Sequence, residues 1–247
     1  MTVVRKFSLV LVFLLCWGLP FSALGKEIEI GARIGTGWNL LPQPDDPPGS
    51  PTLVSGTAFT GGSFLIGPTG TLRLFESEEI TLKFSADLLY GYHRGAGFAE
   101  RSDGPRIDLI LVAHLLRAPL MVEVSHQATR LSPTVALGLE PVLGLGSSST
   151  SEQRGFDAVD ELQTRAKSSI SLLFALGAAL HLDKIIVPLD LRFSFNPFVG
   201  TSTEARFDSL DVIDEENGEY RAGTFQVAYT WQIMATTGFR FTTPLSR

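Results

Sequence analysis

The chain is poor in charge, nearly empty of cysteine, and without a long apolar segment beyond its first residues. Charged residues make up 19% of its 247, below the quarter usual in soluble globular domains. Its one cysteine, Cys16, sits in an N-terminal apolar stretch. The rest of the chain can therefore build neither a disulfide framework nor a thiolate site for metal or catalysis. Past that stretch no run approaches the ~18 apolar residues of a membrane-spanning helix, and no long 3.6-residue periodicity marks an amphipathic helix. Basic residues form no stripe and the formal net charge is −6, which gives no ground for a nucleic-acid partner.

The first 25 residues read as an export signal. Arg5 and Lys6 make a basic start, "FSLVLVFLLCWGLPF" (7–21) is the apolar core, and Ala23-Leu24-Gly25 offers small residues for cleavage after Gly25. The apolar run is short for an anchor helix and Pro20 interrupts it. Leu15 stands where a lipid-attachment signal at Cys16 would carry a small residue. The expected division is a cleaved signal peptide at 1–25 and one domain over 26–247. Removing Arg5 and Lys6 takes two of the 20 cationic side chains and none of the 26 acidic ones, so the exported chain is more acidic still.

What the exported chain does have is period-2 alternation, recurring about eight times. "EIEIGARIGTGW" (27–38) puts Ile28, Ile30, Ala32, Ile34 and Trp38 on one face. "FLIGPTGTLRLF" (64–75), "ITLKFSADLLYGY" (80–92), "PTVALGLEPVLGL" (133–145), "SISLLFALGAALHL" (169–182) and "IIVPLDLRFSF" (185–195) follow the same rule. "RIDLILVAHLLRAPLMVEV" (106–124) changes phase: its apolar residues are odd-numbered through Ala113 and even-numbered from Leu116. A β-bulge near Leu115 would reconcile the halves, and Pro119 suits a local break in pairing. The last run, "TFQVAYTWQIMATTGFRF" (224–241), alternates from Phe225 to Phe241 and is some three times the common strand length of about 5–6 residues.

Spacer lengths alternate too. The long ones fall at 39–60, 93–105, 147–167 and 196–222; the short ones are "ESEE", "SHQATRLS" and "DK". Four long connections on one side and three short on the other are how transmembrane β-barrels are built. Runs of this length can cross a bilayer at a strand tilt near ~40°. The expected fold is all-β, an eight-stranded antiparallel up-and-down transmembrane β-barrel. If the apolar faces meet lipid, then Glu29, Arg33, Arg73, Lys83, Asp87, Asp108, Arg117, Glu123, Glu140, Asp190, Arg192 and Arg240 line the lumen. Eight strands leave a lumen just wide enough for side chains to fill, and enclosed charges must pair, because an isolated buried ion costs several kcal/mol. An ion-pair network closing the lumen is the expectation.

Three stretches carry a resemblance: the early "IEIGARIGTGWN", the mid-chain "LLRAPLMVEV" and the final "TTGFRF". On these the chain resembles the eight-stranded outer-membrane β-barrel families of Gram-negative bacteria, OmpA-like or PorT-like in layout, over essentially all of 26–247. The resemblance implies an outer-membrane location, with lipid and lipopolysaccharide as surroundings and other envelope proteins as partners. The last strand also resembles the C-terminal signal read by the outer-membrane assembly machinery, with Thr236, Gly238 and Phe241 fitting. Thr243 departs from it, which implies either weaker recognition or recognition through Phe239 and Phe241.

Sites for chemistry are sparse. Ser125-His126 with Glu140 could activate a hydroxyl nucleophile. A lipid-A deacylase pattern would place serine two residues after histidine, where Ala128 stands, and the pair falls in an expected periplasmic turn. His114 and His181 are expected to face the lumen, and His93 to begin a loop. The acidic residues Glu204, Asp208, Asp211, Asp214, Glu215, Glu216 and Glu219 lack calcium-loop spacing and form a solvated face, with cation bridging to lipopolysaccharide phosphates as the alternative. Tyr90, Tyr92, Tyr229, Trp231, Phe239 and Phe241 are expected in aromatic girdles. No catalytic, cofactor-binding or metal residue is assigned. A structural or surface-interaction role is expected, the alternatives being a lipid-modifying enzyme, a small-conductance or ligand-binding barrel, or a soluble lipocalin-like barrel.

Overall fold

Alternating residues can satisfy two different solvents only if the sheet they form has two different faces, and here the sheet closes on itself. The computed structural model describes residues 27–41, 59–100, 106–127, 130–152, 163–200, 207–208, 211–214, 219–221 and 224–244; the expected signal peptide at 1–25 lies outside them. Eight staves run up and down. They are Glu27–Leu41, Phe59–Glu76, Ile80–Asp87 continued by Leu89–Glu100, Arg106–Arg117 continued by Leu120–His126, Leu131–Glu152, Ser169–Leu182, Ile185–Phe195 and Trp231–Pro244. Each pairs antiparallel with the next. The first pairs with both the second, Ile34 opposite Ile66, and the eighth, Ile30 opposite Phe241, which closes the ring. The fold is an all-β, eight-stranded antiparallel barrel.

The third and fourth staves each break once, at Leu88 and at Ala118-Pro119. Proline has no N–H to give the ladder, and the neighbours bridge the gap instead: the Asp87 N–H donates to the Pro119 carbonyl and the Ala118 N–H to the Pro141 carbonyl. The sixth and seventh staves join through Asp183-Lys184, with Leu182 opposite Ile185. Asp183 takes a left-handed φ of 50°, as a two-residue hairpin turn requires of a residue such as aspartate that tolerates it.

The wall is close-packed where glycine faces inward. A Cβ on Gly238 would fall against the Ala32 carbonyl oxygen and the Arg33 Cα on the neighbouring stave. Gly238 is the register partner of Arg33, whose long side chain lies across the lumen. Gly238→Val is expected to lose about 1–3 kcal/mol by overpacking, read as a lower urea midpoint for the barrel folded in detergent.

Several expectations change. The fourth stave keeps one phase from Leu111 to Ser125, with every odd residue buried. The extra residue that shifts the register between His114 and Leu115 is instead on the fifth stave, around Leu145. The stretch 93–105, expected as a loop, is strand up to Glu100 and again from Arg106, with Glu100 opposite Arg106. The run 224–241 is not one strand. The eighth stave starts at Trp231, and Thr224–Val227 is a separate strand that pairs parallel with Thr164–Ala166 and antiparallel with Phe207–Asp208.

Candidate functional site

Inward-facing residues make the lumen a stack of layers. At the lower rim, where the short turns gather, Arg73 Nη1 lies 3.0 Å from Glu27 Oε2 and 2.8 Å from Glu76 Oε2. Gln127 Nε2 donates to Glu76 Oε1 at 2.7 Å and to Thr81 Oγ1 at 2.9 Å. Above them Glu29 is shared by two cations, Lys83 Nζ at 2.8 Å and Arg240 Nη1 at 3.1 Å. Arg240 also donates to Thr71 Oγ1 at 2.7 Å and stands 3.9 Å from Glu123.

The central layer interleaves two guanidiniums and two carboxylates. Asp87 Oδ2 is 2.8 Å from Arg192 Nη1 and 3.4 Å from Arg33 Nε. Asp190 pairs closely with Arg33 and lies 3.7 Å from Arg192. Thr236 and Thr69 complete it, the first accepting from Arg33 at 3.1 Å and the second donating to Asp87 Oδ1 at 2.5 Å. Beside these charges Leu65, Met121, Ala136, Leu173, Ala175 and Met234 form an apolar cluster.

Next comes a forked pair, Arg117 Nε to Glu140 Oε1 at 2.9 Å and Nη2 to Oε2 at 2.5 Å. Ser194 Oγ donates to the same carboxylate at 3.0 Å. Both ends of this pair are at most 1% exposed. Planar, two-point pairing is the geometry in which guanidinium and carboxylate interact most strongly. Still higher, Gln232 Nε2 donates to Asn39 Oδ1 at 2.8 Å and stands 3.3 Å from His93 Nδ1. His93 is stacked on Tyr229, ring centroids 5.1 Å apart.

The top of the lumen is apolar. Phe225, Val227 and Tyr229 cluster with Leu41, Leu111, Ala113, Leu115, Val142 and Ala166. This explains the misread fourth stave: Leu111, Ala113 and Leu115 do not need lipid, because Phe225–Tyr229 gives them an apolar partner on the inside. The signal in the sequence was length. A run of 18 residues exceeds what a bilayer crossing uses, and its first part is the surplus.

Of the twelve charges expected in the lumen, Asp108 is the exception; it is exposed, on the even-numbered outward phase of the fourth stave. His93 is buried in the lumen rather than starting a loop. His114 faces outward, not in: its Nδ1 is 2.6 Å from the Tyr90 hydroxyl and its ring is 5.6 Å from that of Tyr92. His181 lies on an inward position, half-buried, near the lower rim. Tyr90, Tyr92, Trp231, Phe239 and Phe241 are exposed on the outer wall, whereas Tyr229 is inside.

Ser125, His126 and Glu140 do not come together. Adjacent strand residues point to opposite faces, so Ser125 is buried with its Oγ 3.5 Å from the Thr81 carbonyl while His126 is exposed. Ser125 stands opposite Thr134, and Glu140 lies ~20 Å farther along that stave. The acidic cluster at 204–219 falls outside the residues whose side chains are described.

Neither a family model nor a curated protein matches the chain. The chain is similar to several solved structures. Ail, the attachment invasion locus protein of Yersinia pestis, is 10% identical at a TM-score of 0.38, covering 89% of this chain and 100% of that one. Neisserial surface protein A is 11% identical at 0.37, covering 88% and 97%. The outer membrane protein OprG from Pseudomonas aeruginosa is 9% identical at 0.37, covering 90% and 98%.

Proposed function

We propose that this chain is an integral outer-membrane β-barrel of a Gram-negative envelope, exported through a cleaved signal peptide, with a closed lumen and a structural or surface-interaction role. The observation that carries the reading is the outer wall. Ile30, Phe64, Leu88, Val122, Leu137, Leu172, Leu189 and Ile233, one from each stave in turn, are each at least 47% exposed, so the apolar surface continues around all sides of the ring. A soluble monomer rarely exposes an apolar patch beyond a few hundred Å², and a belt of this kind is stable where lipid tails cover it.

The layered lumen supports a closed barrel over an open pore, since each level is filled by paired or packed side chains. The separation of Ser125, His126 and Glu140 supports a non-catalytic role. In this reading the partners are outer-membrane lipid and lipopolysaccharide around the wall, other envelope proteins at the loops, and the assembly machinery during insertion. The last would read the eighth stave, where Phe239 and Phe241 stand exposed and in edge contact, centroids 5.5 Å apart.

Cell fractionation with gel mobility tests this. The protein is expected in the membrane pellet, extracted only by detergent, and running at different apparent sizes before and after boiling. Recovery in the soluble periplasm without detergent would sink the reading.

A further inference from the structure

The outward face of the staves is apolar almost everywhere. Among outward wall positions with described side chains, the ones bearing a charged or imidazole group are Arg94, Asp108, His114 and His126. His126 is at the lower rim, opposite Ile80. Arg94 and His114 stand together instead. Arg94 follows Tyr90 and Tyr92 on the outward phase of the third stave, and His114 is the register partner of Tyr92 on the fourth. We infer that Arg94, His114, Tyr90 and Tyr92 form a binding site on the outer wall for the phosphate of an anionic lipid in the outer leaflet. This inference rests on the membrane reading above.

Height places the cluster at the headgroups. Taking Ile80 as the lower edge, a rise of about 3.3 Å per residue at a tilt near 40° puts Tyr90 ~25 Å and Arg94 ~35 Å above it. The apolar band of such barrels is about 25 Å tall, so the tyrosines mark its upper edge and the guanidinium reaches past it. A cation on the lipid face costs ~2–4 kcal/mol at midplane and almost nothing at the interface, consistent with Arg94 being kept there. Arg94 is exposed and has no acidic partner among the described residues.

The donor set suits phosphate. Arginine offers a planar fork of N–H groups to oxyanions. If the Tyr90 hydroxyl donates to His114 Nδ1, 2.6 Å away, the ring proton sits on Nε2, at the other edge of the imidazole. The neighbouring stave leaves room: Gly146 is the register partner of His114, beside the register shift, and a Cβ there would meet nothing within 4 Å. The wall therefore has a recess flanked by a histidine, with two phenols and a guanidinium that has no acidic partner among the described residues on the adjoining stave.

The test is native mass spectrometry of the full-length barrel, refolded in detergent with phosphatidic acid or phosphatidylcholine added at equal amounts. Wild type is expected to retain phosphatidic acid preferentially, and Arg94→Ala/His114→Ala to lose ~10-fold in retention, the worth of one charge-assisted hydrogen-bonded pair. Gly146→Leu fills the recess without changing charge and is expected to reduce retention too; it also serves if the double variant does not fold. Arg130→Ala and Lys184→Ala remove exposed cations at the opposite rim and should leave retention unchanged. Undiminished retention in both site variants overturns the inference, as does equal loss in the rim variants, which would mean diffuse attraction. Insertion of wild type into phosphatidylcholine vesicles separates the two levels. A protein that inserts but shows no preference for phosphatidic acid overturns this site alone, and one that does not insert overturns the membrane reading with it.

Discussion

Asp87→Ala is expected to lower the stability of the barrel by about 3–5 kcal/mol, the usual cost of breaking a buried ion pair from one side. Asp87 holds two guanidiniums at once, Arg192 at 2.8 Å and Arg33 at 3.4 Å. Its removal leaves two positive groups, each 1% exposed, with Asp190 alone to neutralise them. It also takes the acceptor from Thr69. Asp87→Asn separates charge from shape, because the amide fills the same volume and can still accept from Thr69. It is expected to lose nearly as much as the alanine variant. Asp87→Ala/Arg192→Met removes one charge of each sign and should recover a large part of the loss, since an apolar replacement of a whole buried pair is often close to neutral. Urea unfolding of the barrel in lipid vesicles, followed through Trp38 and Trp231 on the outer wall, reads all three. An asparagine variant as stable as wild type would show that the central layer is held by packing rather than charge.

The charged layers were legible in the sequence because charge and alternation agree there. Glu29 and Arg33, Lys83 and Asp87, Asp190 and Arg192 each sit in phase within a run whose other face is apolar, so no other assignment puts them out of lipid. The upper lumen was not legible for the opposite reason. Alternation distinguishes one face of a strand from the other, but it does not say which is inside when both are apolar. Leu111, Ala113 and Leu115 are as apolar as Val112 and Leu116 opposite them, and only the tertiary contact with Phe225, Val227 and Tyr229 decides the matter. Arg94 and His114 were hidden differently. Arg94 falls in the stretch 93–105 that reads as a loop, and His114 falls on the even phase that reads as lumen when Leu111 and Ala113 are given to lipid; the outward place of both becomes visible only through the register of the third and fourth staves.

The segment that fills the mouth is expected to contribute strongly to stability without being what keeps the barrel closed. Phe225 and Val227 are at most 1% exposed, and Phe225→Ala should cost about 3–5 kcal/mol as a large-to-small change in a packed core. Phe225→Asp goes further, because a carboxylate has no partner in the cluster formed by Leu41, Leu111, Leu115 and Val142, and burying it unpaired costs more than releasing the segment. Release is readable with Val227→Cys, since Cys16 is the chain's one native cysteine. Maleimide labelling should be slow in the Val227→Cys protein and at least ~10-fold faster when Phe225→Asp is added, as a local opening becomes the ground state. Planar-bilayer recordings, by contrast, should show no unitary steps in either protein. Below the vacated space the Arg117–Glu140 fork and the Arg33–Asp87–Arg192–Asp190 layer still span the lumen, and an eight-stranded ring leaves no room around them. Steady conductance in Phe225→Asp would locate the seal in the loop segment; its absence locates the seal in the charged layers beneath.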